Sequence, residues 1–341
     1  MTWPFSPPLE TMEAKVSEKW PKGSFAYEPK WDGFRAVVWS NPGGRIDSRN
    51  QRPLLRYFPE LEGAIAQLPE GTVVDAEIVV VIDDVTTFDT LQLRLHPAAS
   101  RVEKLSNEIP ARLVAFDLLA DRGEDIRMLP FSERRARLEE LMRSLDQPWN
   151  LTPSTTDEAT AKRWFDEFEP TGCDGIIVKP LDQAYIHGKR AVIKIKHRRT
   201  IDCVVGGYRV HKDGDKIGSL LLGLYNDGGD LHFIGHCSGF QDADRVEMLN
   251  QFEALRSDES FGEEARVPGG DSRWSAGKDL SWVPIVPGVV VEVSYDQLEG
   301  YRFRHATRFH RWRPDKDAVD CTMDQLERPD GLGFSDMIAY G

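Results

Sequence analysis

The run Val73-Val74-Asp75-Ala76-Glu77-Ile78-Val79-Val80-Val81 limits what this chain can fold into more than any other stretch of it. β-Branched side chains crowd a helix but pack well on a pleated surface, so the run is a strand. Successive side chains of a strand point to opposite faces, which puts Asp75 and Glu77 together on one face. Two acids on an otherwise apolar, buried strand must be compensated by a cation, a metal or hydrogen-bond donors. The other arrangement is an edge whose acidic face is solvated.

Four other stretches could meet that demand. Glu28-Pro29-Lys30-Trp31-Asp32-Gly33-Phe34-Arg35 lies between Phe25 and Tyr27 on one side and Ala36-Val37-Val38-Trp39 on the other, the pattern of two short strands meeting at a tight polar turn. A lysine held there beside an acid and an arginine could attack a phosphate, although a plain charged surface hairpin gives the same pattern. Leu113 to Leu119 is an apolar strand carrying Phe116-Asp117, and Asp174-Gly175 opens the apolar run Ile176-Ile177-Val178-Lys179. In Ala191 to His197 the alternation places Ile193 and Ile195 on one face and Lys194 and Lys196 on the other. Those lysines serve either a solvated edge strand or a site shared with Lys30 and the acids.

Between these stretches the spacing predicts helices over residues 9–20, 54–68, 157–168 and 132–144, the last with Ser132 as N-cap. Arg45 to Asn50 reads as a further strand and turn with Arg49 at its tip. After Arg199 the pattern changes to short strands over 202–210, 219–225, 231–237, 289–295 and 301–309, with a helix over 243–255 between the third and fourth. Such an order suits a five-stranded barrel of the OB type.

Net charge is −13, which alone argues against a polyanionic partner, but basic residues gather in two stripes, Lys189 to Arg199 and Arg302 to Lys316. An acidic chain can still present a positive groove to nucleic acid in that way. The four cysteines, Cys173, Cys203, Cys237 and Cys321, are far apart with no C-x-x-C pair, which excludes a zinc ribbon or a disulfide framework. The sequence shows neither a secretory signal nor a membrane span, so cytoplasm is the expectation.

Six segments stand in one order: Lys30-Trp31-Asp32-Gly33-Phe34-Arg35, Asp75-Ala76-Glu77, Phe116-Asp117, Asp174-Gly175 with Ile176 to Lys179, Lys194-Ile195-Lys196, and Arg311-Trp312-Arg313-Pro314-Asp315-Lys316. The series resembles the covalent nucleotidyltransferases, the superfamily of ATP-dependent DNA ligases, RNA ligases and capping enzymes. Within it the chain is most similar to the small two-domain bacterial DNA ligases of the ligase C type. The resemblance implies an α+β fold: an ATP-grasp-like, antiparallel-sheet nucleotidyltransferase domain over 1–199, an OB-fold barrel over 200–320 and a C-terminal tail over 321–341. It also implies ATP as cofactor, with AMP carried covalently on Lys30, and Mg²⁺ or Mn²⁺. The implied partner is nicked double-stranded DNA, met by a monomer in the bacterial cytoplasm or nucleoid. An RNA-sealing or capping enzyme, or an inactive nucleic-acid-binding module on the same fold, are the rival readings.

Residue by residue, the resemblance makes Lys30 the nucleophile, aimed by the Asp32-Gly33 turn. Lys194 and Lys196 hold the α-phosphate and, as neighbouring positive charges, favour the unprotonated amine that attack requires. Glu28 accepts from the adenine amino group, Phe116 stacks on the base or is ordinary core, and Arg35 contacts ribose or phosphate. Glu77 contacts the ribose or a metal-bound water, and Glu77 and Asp174 are the implied metal ligands, Asp174 standing where relatives usually carry glutamate. Arg311, Arg313, Asp315 and Lys316 would orient pyrophosphate, and Arg49, Arg190, Arg198 and Arg304 would contact DNA, with a solvated surface role open for Arg190.

Overall fold

The β-branched run around Asp75 forms β5 (Val73–Ile82), and with it β1 (Glu13–Val16), β2 (Phe25–Pro29), β3 (Phe34–Trp39), β4 (Arg45–Ser48), β6 (Val85–Thr86), β7 (Ala111–Asp121), β8 (Glu124–Asp125) and β9 (Trp149–Leu151) are shared out between two sheets. In this computed structural model, which describes residues 3–258, 260–262, 268, 281–327 and 331–340, the order β4-β3-β5-β7-β8 makes one sheet, with β6 and β9 added at β5 and β7. The second sheet runs β1-β11-β10-β2, where β10 is Gly175–Pro180 and β11 is Arg190–Lys196. Helices α1 (Glu62–Gln67), α2 (Phe88–Leu93), α3 (Ala99–Glu108), α4 (Phe131–Met142) and α5 (Glu158–Glu167) complete this part. β5 is buried on both faces, from Val73 to Val80, with Glu77 the one half-buried position.

Four local expectations are corrected. The Lys30 stretch is not a hairpin: β2 and β3 belong to different sheets, so residues 30–33 form a crossing between them. Residues 9–20 hold no helix but β1, parallel to β11, because that strand's open edge offers acceptors at Lys189 O (2.8 Å from Glu13 N) and Lys194 O (3.0 Å from Ser17 N). Ser132 caps nothing, since Pro130 takes the N-cap position of α4 and the Ser132 N–H donates to Leu181 O. Over 54–68 the helical spacing is broken into two 3₁₀ turns and α1, with Pro59 at the junction lacking an N–H for a continuous helix. Asp157, in contrast, caps α5 through the N–H groups of Ala159 and Thr160.

The chain divides into two units, Met1–His197 with Pro329–Gly341, and Arg198–Arg328. In the second, β12 (Arg199–Val210), β13 (Ile217–Tyr225), β14 (Leu231–Cys237), β15 (Val283–Pro284), β16 (Val290–Tyr295), β17 (Leu298–Glu299), β18 (Arg302–Phe303) and β19 (Arg308–Trp312) surround a buried apolar core, with α6 (Asp242–Glu253) between β14 and β15. The main strand order is β14-β13-β12-β16-β19, and a bridge between Cys237 and Thr307 brings the two ends together, the closure of an OB barrel. The single strand expected over 301–309 is split because Arg304 N–H turns back to Gln297 O. The stretch 321–341, read from sequence as a tail, is shared: Cys321 lies in the barrel core, whereas α7 (Phe334–Ile338) packs in the first unit. All four cysteines are buried and free. Among the described residues no helix is long and apolar enough to cross a membrane.

Candidate active site

Lys30 sits where the chain leaves one sheet for the other, and its backbone is fastened on both sides. Its N–H donates to Gly175 O at 2.8 Å, and the N–H of Asp174 donates to Lys30 O at 2.9 Å. Gly175 has φ +134°, and a Cβ there would meet Ile195 O at 2.0 Å, so only glycine lets the start of β10 lie against the end of β11. Gly175 pairs with Lys196, and Ile177 pairs with both Glu28 and Lys194. Cross-strand partners share a face. Lys30, Lys194, Lys196, Glu28 and Lys179 are thereby gathered on one side of this sheet.

Asp174 organises the lysines. Its Oδ2 lies 2.8 Å from Lys30 Nζ and 2.8 Å from Lys196 Nζ, with only 4% of its side chain exposed. Burial pulls its carboxyl up, but the two ammonium groups outweigh that and hold it below the usual carboxylate range. Lys194 makes no ion pair among the described residues; burial, then Lys30 and Lys196, lower its pKa. Lys194 and Lys196 thus lie on the same face as Lys30, with a carboxylate shared between Lys30 and Lys196.

The two acids of β5 are compensated by different means. Arg35 grips Asp75 through Nε (3.0 Å) and Nη2 (2.6 Å), and Tyr185 donates its hydroxyl to Asp75 Oδ2 at 2.7 Å. Arg35 also donates to Met12 O, so its fork is committed to the protein rather than directed at a ligand. Glu77 has no such clamp: burial first, then Asp32 and Asp75, push it up to about 8 against the pull of Arg35 and Lys30. It is therefore largely protonated at neutral pH and can donate a hydrogen bond, as to a ribose oxygen. Gly33 passes so close to β5 that a Cβ would meet Ile78 O at 2.2 Å and Glu77 Cγ at 2.8 Å.

Phe116 is the extra residue at a bulge of β7, where Asp117 pairs with Asp75 and Ala115 with Ala76. Its half-buried ring lies 5.3 Å from the Arg35 guanidinium and 4.9 Å from Lys179 Nζ. Lys179 also binds Phe116 O (2.8 Å) and Glu28 Oε2 (2.7 Å). Burial lifts the Glu28 carboxyl, opposed by Lys179 and Arg135. Its Oε1 is buried without a hydrogen-bond partner among the described residues, Arg135 Nη1 standing 3.5 Å away. An orphaned acceptor beside an aromatic ring fits an adenine amino group.

The fit to a metal is poorer. Asp174 Oδ2 already faces two cations, Glu77 favours its neutral form, and no group of three or more His, Cys, Asp or Glu is placed to hold an ion among the described residues. Lys179, Arg135 and Tyr185 were not assigned roles from sequence. For Lys179 a signal existed, a lysine closing an apolar strand; Tyr185 lies 110 residues from Asp75 with no local mark.

Arg49 is exposed and bound to Glu13 at 2.7 Å, with Arg190 3.7 Å from the same carboxylate. Arg198, Arg304, Arg311, Arg313, Asp315 and Lys316 belong to the second unit. There Arg313 holds both oxygens of Asp202 (2.9 and 2.8 Å) and Asp315, Lys316 joins Asp202 at 3.1 Å, and Arg311 binds Glu292 at 2.6 Å. Arg304 donates to Gln297, and Arg198 is exposed.

Two family models match: "ATP dependent DNA ligase domain" over residues 8–196 and "ATP dependent DNA ligase C terminal region" over residues 213–316. The chain is 49% identical to DNA ligase C2 of Mycolicibacterium smegmatis, covering 96% of this chain and 97% of that one. It is 47% identical to DNA ligase C of Mycobacterium tuberculosis over 99% of each. Among solved structures, one from a study of Lig E DNA ligases matches 91% of this chain and all of its own, with a TM-score of 0.55 at 16% identity, a likeness of fold.

Proposed function

Since the chain belongs to the ATP-dependent DNA ligases, enzymes that form phosphodiester bonds, we propose that it seals 5′-phosphate/3′-hydroxyl nicks in double-stranded DNA with Lys30 as the acceptor of AMP. The observation that supports this most is the meeting of Lys30 and Lys196 on Asp174 Oδ2, with Lys194 on the same face and without an ion pair among the described residues. Lys30 Nζ, as the free amine, attacks the α-phosphorus of ATP. A phosphorus–nitrogen bond forms and the bond to pyrophosphate breaks. Lys194 supplies positive charge where it grows on the α-phosphate, in a half-buried setting where it is worth more than in water. Lys30 enters the step with its ammonium proton given up to solvent, and the second proton, lost from the nitrogen once it is bonded to phosphorus, also leaves to solvent, while Asp174, its carboxyl held low, stays ionised and steers the amine.

Glu28 Oε1 accepts from the adenine amino group, which selects ATP over GTP. The AMP then passes to the 5′-phosphate of the nick, and the 3′-hydroxyl displaces it. Arg49 and Arg190, and in the other unit Arg198 and Arg304, are assigned to the DNA backbone, Arg311, Arg313, Asp315 and Lys316 to pyrophosphate departure. A divalent ion, Mg²⁺ or Mn²⁺, belongs with the nucleotide phosphates rather than with a preformed protein cage. The family match favours DNA sealing over the RNA-sealing, capping and inactive readings, and the bacterial cytoplasm is the compartment proposed. Labelled ATP and labelled GTP, each incubated with the protein and then with nicked duplex, test the reading. Label from ATP alone, followed by sealing, is expected; label from GTP alone overturns it.

A further inference from the structure

Trp31, next to the nucleophile, is 6% exposed and donates its indole N–H to Thr152 Oγ1 at 2.9 Å. Its other neighbour comes from the far end of the chain: the ring of Phe334 meets it edge-on, centroids 5.5 Å apart. Phe334 and Met337 of α7 are buried in one cluster with Trp31 and Cys173, the residues adjacent to Lys30 and Asp174. The short helix thus meets Trp31 directly and shares a buried apolar cluster with Cys173.

Five residues do not hold a helix on their own, and α7 is fixed from outside. Gly333 at its N-cap has no side chain to offer, and the cap comes from Asp84 in the β5–β6 turn. Asp84 Oδ1 accepts from Ser335 N (3.0 Å) and Oγ (2.8 Å), and Asp84 O accepts from Phe334 N at 2.6 Å. A Cβ at Gly333 would sit 1.8 Å from Asp84 Oδ2, so the glycine is what lets the carboxylate in. Asp83 and Asp84 both have positive φ (48° and 63°), a turn that usually takes Asn-Gly. Thr171 Oγ1 binds Leu332 O, and Arg112 lies 5.2 Å over the Phe334 ring.

We propose that the C-terminal segment 331–340 is a positioning element of the adenylylation site, holding through Trp31 and Cys173 the backbone that presents Lys30 and Asp174. Small displacements of a nucleophile cost large factors in rate while leaving substrate binding intact. The proposal rests on Lys30 being the AMP acceptor.

Single-turnover labelling of the full-length, AMP-free protein with ATP separates the two ways it could act: amplitude reports the folded fraction and rate constant reports positioning. Phe334→Ala is expected to lower the rate constant about 10- to 100-fold at saturating ATP, with amplitude kept and the ATP concentration for half-maximal rate within about twofold of wild type. Asp84→Ala shares the defect more weakly, and Asp84→Asn, which can still cap, restores the rate. Leu138→Ala, a buried change in α4, lowers Tm without lowering the rate constant. Wild-type rate constants in Phe334→Ala and Asp84→Ala, amplitude loss alone, or an equal rate loss in Leu138→Ala each overturn the proposal. Should Phe334→Ala not fold, the Asp84 pair decides. A wild-type protein unlabelled at Lys30 defeats the nucleophile reading instead.

Discussion

Lys30 Nζ lies 2.8 Å from Asp174 Oδ2, and that carboxylate is nearly buried. Its acid is held below the usual range in the fold, so the stabilisation it brings is present above the unfolded value near 3.8 and is lost as pH falls through the folded one. Asp174→Asn should therefore cost about 2 kcal/mol at pH 7, and the gap to wild type should close in acid. Urea unfolding of both proteins at pH 7 and pH 3 checks this; a gap of constant size would show that the charge of Asp174 is not what stabilises.

Glu77 has the opposite sign. Its pKa is about 8 in the fold against 4.5 for the free acid, so the folded chain keeps a proton that the unfolded chain releases. Wild type should lose stability relative to Glu77→Gln as pH rises from 4.5 to about 8, by on the order of 4 kcal/mol. Urea unfolding of wild type and Glu77→Gln at several pH values across that window measures it, and a difference independent of pH there contradicts the assignment.

Lys194 and Lys196 share a face but not a partner. Lys196→Ala takes one of two cations from Asp174 and should cost about 1 kcal/mol of stability as well as activity. Lys194→Ala breaks no ion pair among the described residues, so it should slow lysyl-AMP formation by about 100-fold at unchanged Tm. Parallel thermal melts and labelling rates distinguish them; equal losses of Tm would contradict the division of roles.

In the second unit, Arg313 is tied to Asp202 and Asp315. If it serves pyrophosphate departure, Arg313→Ala and Asp315→Ala should impair labelling by ATP by about 10-fold or more while sparing the sealing of nicked DNA that already carries AMP. Equal impairment in the two assays would assign these residues to DNA binding or folding.

The elements that carry the candidate site were easier to read from the sequence than the connections that hold them. β5 and the alternation of Lys194 and Lys196 were legible because β-branched runs and period-two patterns are local signals. The partners of Asp75 were not: Tyr185 reaches it from the loop between β10 and β11, and no nearby residue marks that contact. The Lys30 stretch looked like a hairpin because nothing in two flanking apolar runs says which sheet each will join. β1 was hidden under a helical spacing that the open edge of β11 overrides. Least visible was α7, whose five residues carry too short a pattern to read and whose cap is contributed by Asp84, some 250 residues earlier.

The most direct test is to allow the protein to react with ATP, digest it and locate the added AMP by mass spectrometry, alongside Lys30→Ala. The expected result is one AMP, on the peptide containing Lys30, released by pyrophosphate, and no adduct and no sealing by ATP in the variant. An AMP adduct elsewhere, or nick sealing by Lys30→Ala at a rate near that of wild type, would contradict the account.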